Sequence, residues 1–220
     1  MIFRDRRQAG IFLANKLGAY GGDPAAVILG LPRGGVVVGY EISRVLRLPL
    51  DVLIARKLSM PDNPEFAIGA VSEPNAVYLN PDAVEAFRLS PADLDRFIQA
   101  QHQEIARRQH LYRQGRSLPE LADRTVILVD DGIATGSTFF AAIEGVAAHS
   151  PRRVVAAIPV GPRETLAHVV SRVNELVVLD MPDPFSAVGQ AYEDFAQVTD
   201  DQVIEILKLA HGPLIRHPAS

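Results

Sequence analysis

Two adjacent carboxylates, a glycine and a run of small hydroxyl residues stand together at Asp130-Asp131-Gly132-Ile133-Ala134-Thr135-Gly136-Ser137-Thr138. The apolar run at 126–129 before them has the length and β-branched content of a buried strand, and the residues after them begin a helical pattern. At the end of a strand, neighbouring side chains need no longer point to opposite sheet faces, so both aspartates can approach one ligand. Two acceptors side by side suit a diol. The turn that follows offers hydroxyls, unpaired backbone N–H groups and the positive end of a helix, all of which favour a phosphate, and Gly136 lets that phosphate come close.

Positioning such a site requires alternating strands and helices. Apolar runs at 27–31, 50–55, 126–129, 154–158 and 176–179 read as parallel strands buried on both faces. Helical patterns reach from Pro-Arg-Gly-Gly to about Arg47, over 137–148 and over 162–173, where Pro162 suits a first helical position. The rhythm breaks at 58–124, which reads as an insertion. There Pro61, Asn63 and Pro64 predict a loop, 66–71 and 76–79 a hairpin across 72–75, and Ser90-Pro91-Ala92-Asp93 the start of a helix running to about Arg116. That helix carries a narrow stripe (Leu94, Ile98, Ile105, Tyr112), and Arg96, Arg107, Arg108, Arg113 and Arg116 are expected on a solvated face. Thr199-Asp200-Asp201-Gln202 predicts a capped terminal helix to about Ala210, stopped by His211-Gly212-Pro213. The expected fold class is α/β: one domain over 1–212 with a mainly parallel sheet of about five strands, a small hood near 181–198 and a flexible tail at 213–220.

Composition narrows the chemistry. The 220 residues carry a net charge of −4 and 48% hydrophobic residues, so no broad basic field is available for dedicated nucleic-acid or anionic-membrane binding. The absence of Cys excludes disulfides, thiolate metal sites and cysteine nucleophiles. The N-terminal residues lack a signal-peptide h-region and no apolar stretch approaches a membrane span, so a cytoplasmic location is expected. None of the six histidines forms a ligand cluster, and His102 and His110 read as surface residues.

The stretch 126–138 resembles the signature of the type I phosphoribosyltransferases, which bind phosphoribosyl diphosphate (PRPP) with a strand, an acidic pair and a phosphate loop. The resemblance covers residues 27–195 and implies a type I phosphoribosyltransferase-like sheet flanked by helices. It implies that Asp130 and Asp131 contact the ribose hydroxyls while Ala134, Thr135, Gly136, Ser137 and Thr138 hold the 5′-phosphate. Arg33, Gly34 and Gly35, after the first strand, stand where the family binds diphosphate, with Arg33 as a charged fork for phosphate oxygens. Arg56 and Lys57 are similar to pairs near the diphosphate, the alternative being two exposed cations. Residues 59–70 stand where the family has its mobile catalytic loop.

The implied cofactor is Mg²⁺, held mainly by diphosphate and ribose oxygens, with Asp130 and Asp131 acting through the diol or through water, because Mg²⁺ seldom takes an all-protein cage. Where hypoxanthine–guanine enzymes carry an aspartate general base this chain has Ala134, as adenine enzymes do, and Glu65 is the replacement candidate. The hood stretch Pro182-Asp183-Pro184-Phe185 is similar to that of hypoxanthine–guanine enzymes, so Phe185 is expected either to stack on a base or to be a core residue under a loop. These clues conflict over the acceptor base.

Competing readings fit less well. A receiver domain would need a lysine-bearing strand after its acceptor aspartate, and neither a Walker loop nor a Gly-x-Gly-x-x-Gly fingerprint is present. The expected function is PRPP-dependent phosphoribosyl transfer to a nucleobase or related small nucleophile with release of diphosphate. The alternative is a PRPP-sensing regulator without efficient catalysis. The oligomeric state stays open, a homodimer among the options.

Overall fold

Runs of Val, Ile, Leu and Ala with no polar face must be covered on both sides, and the chain does this with a five-stranded parallel sheet. The computed structural model describes residues 1–60 and 63–211, and for 63–67 the backbone path alone. The central strands are β1 (Ala26–Gly30), β2 (Leu50–Val52), β6 (Thr125–Val129), β7 (Arg153–Val160) and β8 (Glu175–Asp180), in the spatial order β2-β1-β6-β7-β8. The antiparallel strands β3 (Ala55–Met60), β4 (Asn63–Ser72) and β5 (Ala76–Leu79) form a separate sheet in the order β3-β4-β5.

Strand alternation sorts the core. Ile28, Ile127, Val129, Val155 and Ala157 face a large cluster with helices α1 (Arg6–Lys16), α2 (Gly34–Leu46), α4 (Pro91–Arg113) and α7 (Asp200–His211). Val27, Leu29, Val126, Leu128 and Ile158 face a second cluster with α5 (Ser137–Ala147) and α6 (Arg163–Val170). The short α3 (Pro81–Ala86) follows β5.

From β1 the chain winds outward to β2, and after the second sheet it returns to the other side of β1 and continues through β6, β7 and β8. The strand order therefore reverses between β1 and β6, and the ends of those two strands open a crevice there. Their register is continuous from Ala26 opposite Thr125 to Gly30 opposite Val129, so the loops that follow leave the sheet at the same level.

Four expectations need correction. The second strand ends at Val52 rather than at 55, and Ala55 already starts β3. Asn63 and Pro64 lie in β4, not in a loop. The β3–β4 register jumps from Ser59 opposite Ala67 to Met60 opposite Asn63, and Pro64 falls within that bulge, where its missing N–H breaks no regular ladder. Pro162 is the N-cap of α6, and the helix ends at Val170.

Most consequential is Arg113, which is not on a solvated face but 3% exposed in the last turn of α4. It donates to both carboxylate oxygens of Glu73 at 2.7 Å, to Asp51 at 3.3 Å and to the carbonyl of Val52. Glu73 also accepts from Gln109 and from the amide of Ile54, so this buried charge cluster ties α4, the β4–β5 turn and β2 together. Residues 61–62 and 212–220 lie outside the described residues, and with them part of the expected lid and the expected tail.

Candidate functional site

Asp130 and Asp131 directly follow β6 at the crevice. The Asp130 carboxylate accepts from the amide of Asp131 at 2.8 Å, and Asp131 Oδ2 accepts from Arg6 Nε at 2.6 Å. Burial, reinforced by the charge of Asp131, pushes the Asp130 carboxyl well above the usual carboxylate range. Burial also raises Asp131, and the Arg6 guanidinium opposes the rise. The two titrate as a pair.

The loop after β1 presses directly on this pair. A Cβ added at Gly34 would stand 1.8 Å from Asp131 Oδ2 and 2.8 Å from Arg6 Nε, so only glycine lets the first turn of α2 meet the carboxylate. The peptide between Pro32 and Arg33 is cis, and Leu31 donates its amide to Val129 at 2.8 Å. Arg33 Nη1 stands 3.8 Å from Asp200 Oδ1 at the start of α7, and that aspartate also accepts from the Tyr112 hydroxyl at 2.6 Å. Burial and this hydrogen bond hold the Tyr112 phenol protonated well past its ordinary range.

Residues 132–136 lead from the acidic pair into α5. Ala134 and Thr135 are exposed, Ser137 is buried, and the helix has no side chain capping its N-terminus. Its first amides have no intrahelical acceptors, and the helix dipole adds positive potential at that end. Thr165 fixes the loop by donating to the carbonyl of Ala134 at 2.7 Å. Gly136 has a φ of 78°, and a Cβ there would meet Thr165 and Phe140 at 2.7–2.9 Å. Its necessity is thus conformational, in addition to the room for phosphate expected from the sequence.

The remaining expected residues divide. Arg56 lies in β3 with its Nε 3.2 Å from Gln101 of α4, and burial and the nearby Arg108 lower its pKa. Lys57 is next along the same strand, and both residues are partly buried rather than exposed. Phe185 is half-buried and packs against the cluster of Phe3, Ala9, Val160, Ala191 and Tyr192. The side chain of Glu65 lies outside the described residues.

The sequence reading missed the N-terminal segment. Phe3 pairs with residues 191–193, accepting from Glu193 and donating to Ala191, and so brings α1 and Arg6 to the acidic pair. Asp5-Arg6-Arg7-Gln8 held the signal: Asp5 accepts from the amide of Gln8 while Gln8 accepts from the amide of Arg4, a variation on the reciprocal helix cap.

Among the described residues no three His, Cys, Asp or Glu side chains gather as a metal cage. The donors present fit a hard divalent cation whose shell is completed by ligand oxygens and water, which is how Mg²⁺ usually binds.

A parallel sheet whose switch point carries an acidic pair, a turn into an uncapped helix N-terminus and a glycine-containing loop defines a phosphoribosyltransferase-like α/β domain. A family model described as "Phosphoribosyl transferase domain" matches residues 6–192, and the chain belongs to that family. The crystal structure of TT1426 from Thermus thermophilus is 44% identical, covers 94% of this chain and 98% of that one, and superposes with a TM-score of 0.80. Two Mycobacterium tuberculosis proteins, from strains CDC 1551 and H37Rv, are provisionally named phosphoribosyl transferases. Each is 43% identical over 210 residues, which is 96% of this chain and 47% of theirs. The chain thus spans about half the length of these curated relatives. Among the described residues no helix is long and apolar enough to cross a membrane.

Proposed function

We propose that the chain catalyses PRPP-dependent phosphoribosyl transfer to a nucleobase or related small nucleophile, with release of diphosphate. The observation that carries this reading is the junction of Gly34 and Asp131, packed so closely that a Cβ at position 34 would overlap the carboxylate, with residues 132–136 leading from that carboxylate into α5. A ligand bound along that junction would need a phosphate at one end, a diol in the middle and a second anionic group at the other, which is the layout of PRPP.

In this reading residues Ala134 to Thr138 hold the 5′-phosphate, Asp130 and Asp131 accept from the ribose hydroxyls, and Arg33 with the amides of Gly34 and Gly35 binds the diphosphate. The bond from the anomeric carbon to diphosphate oxygen breaks, its electron pair leaves with the diphosphate, and the acceptor's lone pair forms the new bond as the acceptor's proton passes to water. Arg33 stabilises charge on the leaving group, and the acidic pair fixes the sugar so that the acceptor meets one face. Mg²⁺, when bound, neutralises charge on the diphosphate. Arg33 must exchange its contact with Asp200 for the ligand, at little cost because both side chains are about one-third exposed.

The test is diphosphate release from PRPP and Mg²⁺ across a panel of purines, pyrimidines and pyridine carboxylates. Release that depends on one acceptor supports the proposal and names the substrate. PRPP binding with no acceptor-dependent release replaces catalysis with sensing.

A further inference from the structure

Resting on the reading above, we propose that helix α4 forms the outer wall of the diphosphate site, with Arg108 as a further diphosphate-binding residue alongside Arg33. Gln101, Glu104, Arg108 and Tyr112 follow one another along α4 at three- and four-residue spacing, so they share one face. That face meets β3 at one end, where Gln101 accepts from Arg56 Nε at 3.2 Å, and α7 at the other, where the Tyr112 hydroxyl donates to Asp200 at 2.6 Å. Arg108 lies between those two contacts, one helical turn or about 6 Å from Tyr112. Expected on a solvated face, its side chain is 18% exposed.

The sheet brings Arg33 and Arg56 to the same level. The Leu53 amide donates to the carbonyl of Gly30 at 3.1 Å, and each arginine stands three residues beyond that bond, one on the loop after β1 and the other on β3. Asp200, the partner of Tyr112, is also the carboxylate 3.8 Å from Arg33. The Tyr112 phenol is therefore within electrostatic reach of all three arginines, which come to it from three different elements.

Negative charge is short there. Glu104 serves two arginines, accepting from Arg107 at 2.7 and 2.9 Å and from Arg108 Nε at 2.8 Å, and among the described residues Arg56 forms no ion pair with a carboxylate. Burial and the charge of Arg108 lower the Arg56 pKa, as expected where like charges are held together with too little counter-charge. The protein as a whole is negative, so this positive surplus is local. Among the described residues the terminal amino groups of Arg56 and Arg108 donate no hydrogen bond, which leaves both forks open to an anion. Diphosphate offers two phosphate groups, one for Arg33 and one for Arg56 and Arg108 together.

The experiment measures calorimetric affinities for PRPP, inorganic diphosphate and ribose 5-phosphate on wild type, Arg108→Gln, Arg108→Lys and Arg96→Gln. Ribose 5-phosphate has the 5′-phosphate and the diol but no diphosphate. Arg96, 70% exposed on the same helix, gives the same change in net charge away from the wall. Arg108→Gln should weaken PRPP and diphosphate at least about tenfold, the loss of a hydrogen bond to a charged group, while ribose 5-phosphate binds as to wild type. Arg108→Lys keeps the charge without the fork and should fall between the two, and Arg96→Gln should change none of the three affinities. Urea denaturation checks that Arg108→Gln is folded, as expected because Glu104 keeps both its bonds to Arg107. A folded Arg108→Gln protein with wild-type PRPP affinity, or one that loses PRPP and ribose 5-phosphate equally, would overturn the inference. Failure of the wild type to bind PRPP would instead overturn the functional reading. Inorganic diphosphate then decides this inference: binding that Arg108→Gln weakens sustains the anionic site on α4, and no binding overturns it.

Discussion

Replacing Gly34 by Ala tests whether the crevice is assembled as described. The added Cβ would start 1.8 Å from Asp131 Oδ2, whereas real contacts of this kind do not fall below 3.0 Å, so the carboxylate or the loop must give by at least about 1.2 Å. Arg6 Nε, 2.8 Å from the same Cβ, cannot follow, and the 2.6 Å hydrogen bond breaks. A charged, mostly buried hydrogen bond contributes roughly 1.5–3 kcal/mol and overpacking costs roughly 1–3 kcal/mol, against about 1 kcal/mol gained from the better helix propensity of Ala. The expected net loss is roughly 1.5–5 kcal/mol, measured by urea denaturation. A double-mutant cycle identifies the cause: with Asp131→Ala the main obstacle is gone, the Arg6 side chain has only a few tenths of an ångström to yield, and Gly34→Ala should then cost less than about 1 kcal/mol. Equal costs in the two backgrounds would refute the close approach of the two loops.

Other outcomes follow from the same geometry. The raised pKa of Asp130 means that the folded protein holds a proton the unfolded chain releases. That contribution is fully present below the unfolded value of 3.8 and is lost as pH rises through the higher folded value. Asp130→Asn should therefore be more stable than wild type at neutral pH, with the gap closing towards pH 4, while binding PRPP more weakly; parallel thermal-stability curves from pH 4 to 8 would contradict this assignment. Arg113→Ala leaves Glu73 buried without its main partner and should cost about 3–5 kcal/mol in denaturant unfolding, so a loss below about 1 kcal/mol would mean that the cluster is not held in the folded protein. Arg33→Ala should weaken PRPP far more than the nucleotide product, which has no diphosphate, and equal losses by calorimetry would show that Arg33 serves another part of the ligand.

The parts of this structure written in local sequence were readable. The runs that became β1, β6 and β7 lack a polar face because both faces are covered, and the acidic pair, the turn and the start of α5 are contiguous, so their chemistry could be read in one line. Helix α1 was not readable from its apolar pattern, because its buried residues include Ala9, Gly10 and Ala14, whose small side chains give a weak periodic signal. Arg113 looked like its neighbours on α4. Its partners Asp51 and Glu73 are 62 and 40 residues away, and no local pattern marks such a pairing. The same holds for Arg6, whose partner Asp131 is 125 residues distant. Pro64 misled for a definite reason: proline marks loops, but a bulge in β4 accommodates it.

The most direct test of the central claim is a calorimetric titration of the protein with PRPP, with and without Mg²⁺, on wild type, Asp130→Asn and Asp131→Asn. The account predicts binding that Mg²⁺ strengthens, because the metal relieves the repulsion between diphosphate and the two carboxylates, and it predicts weaker binding in each folded variant. A wild-type protein that takes up no PRPP at any magnesium concentration would contradict it.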